Sequence, residues 1–519
     1  MYHLCTTAIF PAIHHKRKIL DIRLNIKDFS SVGVTGFEPA TTRPPDVYSN
    51  RTELHPALFA SRGFVLLPTS RLSAFASANV WCFSEISKNK SIFLPCKTKF
   101  CPQMIYKITP PGGLGHIKTV LPASKSISNR VLIINALSGS PRSVGNLAEC
   151  DDTAVMLEAL HNEKNVEKAV DVHGAGTSMR FLTAYFGLSA TKRVITGSSR
   201  MLQRPISILV EALRSLGAEI DYMGNEGFPP LKVGGGNMRG GVISLPANVS
   251  SQYISALLMI APQLRGGIVL KLEGEVASRP YINMTLELMK EFGAKAEWTS
   301  ENEITVSQGV YVSVPFTVES DWSAASYWYE MTALSKNAAA AVTLPSLYEK
   351  SLQGDSRGAA YFEKLGVETK FSGSTALICG KAACAESLDL DLGGEPDLAQ
   401  TLVATCCGLG VKFRFGGLAN LRVKETDRTQ ALENEMRKLG YVIGDTPDGT
   451  LFWDGETCEA QKNAVIETYE DHRMAMSMAP LCLKHGAVMI DNPQVVSKSY
   501  PRYWDNLRNA GFGVEEINS

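Results

Sequence analysis

One pattern of apolar and polar positions repeats along most of the chain. A stretch with apolar residues at helical spacing ends on an apolar residue, meets a glycine, and gives way to a short apolar run that reads as a strand. The copies are LVEALRSLGAEI, LELMKEFGAKAEW, AYFEKLGVETKF, NEMRKLGYVI and YWDNLRNAGFGVE, with Gly217, Gly293, Gly366, Gly440 and Gly511 at the junctions. A glycine after the last helical turn takes the left-handed conformation that closes the helix, so each copy predicts a helix stop. An earlier copy, VMLEALHNEKNVEKAV, carries Asn162 there, the other residue that tolerates that conformation. The glycine-bearing copies recur every 71 to 76 residues. Units of that length are too long for a solenoid. Strands such as GGIVLKLEG and HGAVMID alternate with the helices. Six such units predict an α/β (α+β) protein of two pseudo-symmetric domains, each of three units.

The first 103 residues stand outside this pattern. They show no sustained period and hold 13 Lys and Arg against 6 Asp and Glu, whereas the rest of the chain is net acidic by the same margin. The basic run HHKRK follows the first apolar stretch instead of preceding it, which excludes a secretory signal. An organelle transit peptide is the minority reading. The expectation is that residues 1–103 are a non-homologous extension from an over-extended reading frame, and that MIYKITPP from Met104 opens the first strand.

Charge then narrows the function. A net-acidic body argues against nucleic acid as a partner. The run YISALLMIAPQL is too short to span a membrane, which excludes a membrane partner. Eleven cysteines without C-x-x-C spacing and nine histidines in no ligand pattern predict no metal and reduced thiols in the cytoplasm.

Five stretches nevertheless concentrate cations at predicted helix starts. KTVLPASKSISNRVLII holds Lys125 and Arg130 among Ser124, Ser126 and Ser128; Arg204 precedes Pro205 in SRMLQRPISILVEAL. RVKETDR supplies Lys424, Glu425 and Arg428, with Thr426 and Asp427 as cap candidates; DHRMAM supplies His472 and Arg473; VVSKSYPRYW supplies Lys498. Each alone reads as a capped surface turn. Helix starts already favour negative charge, so cations placed there repeatedly point to a strongly anionic small ligand. HGAGTSMRFL (Gly174, Gly176) and PANVSSQYISALL (Ser250, Ser251, Gln252) add neutral donors at two more helix starts. Neither is a phosphate-binding P-loop.

Taken in order, ASKSISNR, AGTSMR, QRPI, SSQYISALLM, RVKETDR and DHRMAM resemble the 5-enolpyruvylshikimate-3-phosphate synthases, the 3-phosphoshikimate 1-carboxyvinyltransferases, over about four-fifths of the chain. The resemblance implies the inside-out α/β barrel fold of the enolpyruvyl transferases, with residues 104–124 and 321–519 in one domain, 125–320 in the other, and substrates in the cleft between. It implies a monomeric cytoplasmic enzyme without cofactor or metal, which moves the enolpyruvyl group of phosphoenolpyruvate to the 5-hydroxyl of shikimate 3-phosphate. Carried over residue by residue, Lys125, Ser126, Arg130, Ser250, Ser251, Gln252, Ser278, Asp397, Asn420 and Lys424 would hold shikimate 3-phosphate. Lys125, Gly176, Arg204, Gln252, Arg428, Arg473 and Lys498 would hold phosphoenolpyruvate. Asp397 would take the hydroxyl proton, Glu425 would serve C3, and Lys125 would share in proton transfer. Two positions depart from the family pattern: Gly174 stands where relatives carry Asn, and Phe181 where they commonly carry Pro.

Two rival readings carry different expectations. A transferase acting on a UDP-linked amino sugar would have a loop cysteine as acid and a Lys-Asn pair in place of SKSISNR. A non-catalytic anion binder that kept the fold would have lost Asp397, Glu425 or Lys125. Phosphate release measured with each acceptor separates the three. Residues 104–519 expressed alone should fold and turn over like the full chain; an insoluble or inactive product beside an active full-length protein would show that the leader is needed.

Overall fold

The computed structural model describes Met104–Asn518, less residues 163–166, 277, 336, 338, 382 and 383, together with a short antiparallel pair, Ile86–Ser87 with Lys90–Ser91. The expectation for residues 1–103 otherwise lies outside the described residues. Two compact units divide at Thr98/Lys99, and the second, Lys99–Ser519, carries all six repeats.

Each predicted glycine stop adopts the left-handed conformation, with φ of 99°, 84°, 85°, 97° and 89° at Gly217, Gly293, Gly366, Gly440 and Gly511. Asn162 does not: its φ is −91°. That copy belongs to the smallest unit, α1 (Lys125–Leu137), strand Val144–Gly145 and α2 (Asp151–His161), in which a two-stranded sheet pairs Val144–Gly145 with Phe316–Thr317.

The other five units each carry a four-stranded sheet with one topology: a parallel pair, then two antiparallel neighbours. The second unit runs Val170–Asp171, α3 (Gly176–Gly187), Arg193–Thr196, α4 (Ser207–Ser215), Ile220–Tyr222 and Leu231–Val233. The third repeats this with α5 (Ser251–Ile260) and α6 (Arg279–Glu291) between Arg239–Pro246 and Glu303–Val306. The fourth starts at His116–Lys118 and resumes with α7 (Trp322–Leu334) and α8 (Gly358–Lys364), so the first three units are inserted within it. The fifth holds α9 (Ala399–Leu409) and α10 (Arg428–Lys438); the sixth holds α11 (His472–Met478), the short α12 (Cys482–His485) and α13 (Tyr503–Asn509). In the sixth sheet Met104–Thr109 lies between Val488–Asp491 and Gly513–Asn518, antiparallel to both.

The first helix of each unit is the buried one. In α1, α3, α5, α7, α9 and α11 almost every turn is inaccessible on all sides. A helix apolar all round belongs in a core. YISALLMI is such a helix, which is why its apolar run never needed a membrane. No described helix is long and apolar enough to cross one. The inner helices organise two separate hydrophobic cores, one from Ala123 to Val318 and one from Ile108, Leu114 and Leu121 together with Trp322 to Phe512. The chain passes between them on two adjacent segments, tied by Ser124 N–H to Glu319 O at 2.8 Å and Asp321 N–H to Pro122 O at 2.9 Å.

One core residue runs against its surroundings. Glu330 on α7 is fully buried, and neither carboxyl oxygen has a hydrogen-bond partner among the described residues. Burial drives its pKa well above the carboxylate range, so it sits protonated in the native state. The unfolded chain releases that proton above about pH 4.3. Its raised folded pKa therefore favours the native state below that pH and loses stability as pH rises. Glu330→Leu should raise the melting temperature, by a stability gain of about 1–3 kcal/mol, and more at pH 8 than at pH 5. Differential scanning calorimetry at the two pH values checks both the gain and its sign.

Candidate active site

The inner helices start at one place. Lys125 and Gly176 are the first residues of α1 and α3, Ser250 caps α5, Ser323 lies in the first turn of α7, Asp397 in the turn leading into α9, and Arg473 in the first turn of α11. All of them line a single cavity of about 920 Å³. Six positive dipole ends thus face one space. The outer helices contribute Arg204 ahead of α4, Ser278 before α6, and Lys424, Glu425 and Arg428 at the start of α10. The caps that set these starts are visible: Ser124, Ser250, Asp427 and Asp471 each accept a backbone N–H two or three residues on. Asp427, not Thr426, caps α10.

Nearly every residue singled out in the sequence lines this cavity. Ser126, Arg130, Ser251, Gln252 and Asn420 join those just named. Lys498 is the exception in two respects. It ends the 3-10 turn Pro493–Lys498 instead of opening an α-helix, and it reaches the site through Glu425, whose Oε1 accepts its Nζ at 2.9 Å. A cation at the C-terminal end of a turn needs no compensation for the local dipole, which explains its different placement. At Gly174 a side chain would meet only Lys498 Nζ, 3.9 Å away, so the missing Asn leaves open space beside that ammonium. Phe181 is buried, its ring 5.4 Å from the Arg130 guanidinium carbon.

The two sides of the cavity balance charge differently. Arg130 bonds only neutral acceptors: Thr285 Oγ1 at 2.7 Å, Ser126 O at 2.9 Å and Ser255 Oγ at 3.2 Å. Burial lowers its pKa to about 10. Arg180 bonds the carbonyls of Gly176 and Pro205, and burial, then the nearby Arg204, lowers its pKa to about 10 also. Buried guanidinium groups held by neutral partners are short of an anion.

On the opposite side Asp397, Glu425 and Asp471 are each engaged by cations. Asp397 meets Arg473 at 2.8 Å, Arg428 at 3.0 Å and Lys424 at 3.8 Å. Glu425 meets Lys498 at 2.9 Å and Arg428 at 3.0 Å, and Asp471 holds Arg428 Nε at 2.6 Å. Burial alone would raise Asp397 and Glu425, but these cations outweigh it and hold both well below the usual carboxylate range. Lys125 is 3.6 Å from the buried Asp152; burial works against its charge, but Asp152, Cys150 and Glu425 prevail and raise its pKa. His472 is buried, neither ring nitrogen has a hydrogen-bond partner among the described residues, and burial, then Lys125 and Arg473, lower its pKa well below the usual imidazole range.

Several contributors draw no role from their sequence context. Asp152, Asp355 and Tyr281 stand outside the motifs quoted above, and Asp471 and Arg180 lie within DHRMAM and AGTSMR as polar residues beside those singled out. Only packing brings them to the cavity. Tyr281 had a faint pointer, being the aromatic three residues after Ser278 at the same helix start.

Comparison with known proteins agrees with this geometry. The EPSP synthase (3-phosphoshikimate 1-carboxyvinyltransferase) family model matches residues 161–507. A 3-phosphoshikimate 1-carboxyvinyltransferase of Bacteroides fragilis is 56% identical over 395 residues, covering 76% of this chain and 95% of that protein. Its namesake from Vibrio atlanticus is 35% identical, covering 75% and 95%. The solved structure of an EPSP synthase from Acinetobacter baumannii shares the fold at a TM-score of 0.64 and 22% identity, covering 80% of this chain and all of that one. A repeated-unit fold, an anion cavity at its helix starts and this degree of likeness lead to one conclusion: the chain belongs to the EPSP synthase family, the 3-phosphoshikimate 1-carboxyvinyltransferases.

Proposed function

We propose that the cavity binds shikimate 3-phosphate and phosphoenolpyruvate side by side and transfers the enolpyruvyl group to the 5-hydroxyl, releasing phosphate. The observation that carries this reading is the one-sided charge balance: buried guanidinium groups without anions face carboxylates over-supplied with cations. In this reading the lobe of residues 125–320 closes on that of 104–124 with 321–519. Arg130, Lys125, Ser126, Ser250, Ser251, Gln252, Ser278, Asn420 and Lys424 hold shikimate 3-phosphate. Arg204, Arg428, Arg473, Lys498, Lys125, Gln252 and the backbone at Gly176 hold phosphoenolpyruvate. The protein works as a cytoplasmic monomer with no cofactor.

The acid–base roles follow from competition for cations. Lys498, Arg428 and Arg204 keep Glu425 ionised against its burial. Phosphoenolpyruvate brings a phosphate and a carboxylate to the same cations. Each one it takes leaves Glu425 less compensated and raises its proton affinity, toward that of an acid able to protonate C3. The hydroxyl oxygen attacks C2 as its proton leaves toward Asp397. Then C3 returns its proton to Glu425 as the C2–O bond to phosphate breaks. Lys125, between both ligands, neutralises charge developing on either.

Lys125→Met should lower kcat/KM for both substrates by at least about 100-fold. It also strands the buried Asp152, so the melting temperature should fall; adding Asp152→Asn should recover the melting temperature and none of the activity. Near-normal turnover in either variant would remove Lys125 from the reaction.

Asp397→Asn and Glu425→Gln should each lower kcat by roughly 10²–10⁴-fold, with the double variant no worse than the more damaged single one. By titration calorimetry Asp397→Asn should bind shikimate 3-phosphate as tightly as wild type or tighter, because the amide releases Arg428, Arg473 and Lys424. Weaker binding there would mean that Asp397 is chiefly a ligand-holding group.

A further inference from the structure

Asp397 is poorly suited to keep a proton. Three cations engage its carboxylate, so a proton arriving from the substrate hydroxyl has every reason to leave again. A second carboxylate lies beside it. Asp355, in the turn Gly354–Arg357, is 3% exposed and, among the described residues, has no Lys or Arg within ion-pair distance. The Tyr281 hydroxyl spans the two acids, 3.3 Å from Asp355 Oδ1 and 3.4 Å from Asp397 Oδ2. The other oxygen, Asp355 Oδ2, accepts the Ser323 hydroxyl, whose oxygen lies 3.4 Å from Arg473 Nη2. Both Asp355 and Tyr281 border the cavity.

The groups facing Asp355 come from every neighbouring element. They are Tyr281 from α6, Asp321 and Ser323 at the start of α7, Asp397 before α9, and Arg473 from α11. On its own turn, Arg357 is committed to Glu395 at 3.0 Å. Burial, then the negative charge of Asp397, raise Asp355 to about 7, against the opposing pull of Arg473 and Ser323. Of the two linked acids, Asp355 is the one with proton affinity near neutrality.

We propose that Asp355 is the final acceptor of the proton removed from the 5-hydroxyl, with the Tyr281 hydroxyl as the bridge from Asp397. As the hydroxyl oxygen forms its bond to C2 with its own electron pair, its O–H bond breaks and the proton passes to Asp397 Oδ2. Tyr281 accepts that proton on oxygen and donates its own to Asp355 Oδ1. Asp397 is again a carboxylate and Asp355 a neutral acid, with no electron transferred. The proton leaves Asp355 after the products do. Asp355 touches no reacting atom, so it is a positioning residue that acts through Tyr281 and Asp397. This inference rests on the transferase reading above.

The acceptor must be ionised when turnover begins, so wild-type kcat should fall as pH drops through about 7. The test is the kcat profile from about pH 5 to 9 of wild type, Asp355→Asn and Asp355→Glu, with shikimate 3-phosphate affinity and melting temperature measured alongside. Asp355→Asn should lower kcat about 10- to 100-fold, lose that acid limb, and bind shikimate 3-phosphate within about threefold of wild type. Asp355→Glu keeps an acid and should keep a limb at a shifted pH, which preserves the test if the Asn variant folds poorly. An Asn variant with kcat within threefold, or with the limb intact, overturns the relay. So does one whose only defects are a lower melting temperature or looser ligand binding. A wild-type protein without enolpyruvyl transfer fails the reading beneath it instead, and the relay falls with it.

Discussion

The guanidinium and ammonium groups that crowd this cavity repel one another, and their mutual compensation is the constraint on which the site depends. Much of that compensation comes from the protein's own carboxylates. Asp397, Glu425 and Asp471 draw in Arg428, Arg473, Lys424 and Lys498, while Asp152 engages Lys125. Arg130 and Arg180, on the other side, have among the described residues hydroxyl and carbonyl oxygens, the Met201 sulfur and aromatic faces. The site is thus charge-balanced locally on one wall and charge-deficient on the other. An anionic ligand is attracted to the second and competes for the cations of the first.

That competition ties binding to chemistry. The same cations that hold the carboxylates ionised are those that substrate anions would claim. Substrate anions that claimed them would raise the proton affinity of the acids. A site built from neutral hydrogen-bond donors alone could hold the same anions, but it would have no such means of retuning its acids.

The fold makes the arrangement possible. Each unit places one helix wholly inside its lobe, and burying it all round fixes its axis firmly. Its first turn then points at the cavity, with its start set by side-chain caps such as Ser124, Ser250 and Asp471. The smallest unit, with its two-stranded sheet, still delivers α1 and Lys125 to the same place. Pseudo-symmetry therefore serves the site by repeating one helix start six times.

Much of this is legible in the residues alone. The helix stops at Gly217, Gly293, Gly366, Gly440 and Gly511 are local events, set by one residue's freedom at positive φ, so sequence determines them. The cation-bearing helix starts are local too, which is why Lys125, Arg204, Arg428 and Arg473 stand out in the sequence. Asn162 departs from expectation with φ of −91°, and Lys498 by ending a 3-10 turn instead of opening a helix. What only the tertiary structure decided is which polar residues meet. Tyr281 lies 116 positions from Asp397 and 74 from Asp355. No periodicity links positions so far apart, because their proximity arises from tertiary packing around the cavity. Burial, which sets the proton affinities of Asp355 and His472, is likewise a property of the assembled core and not of any segment.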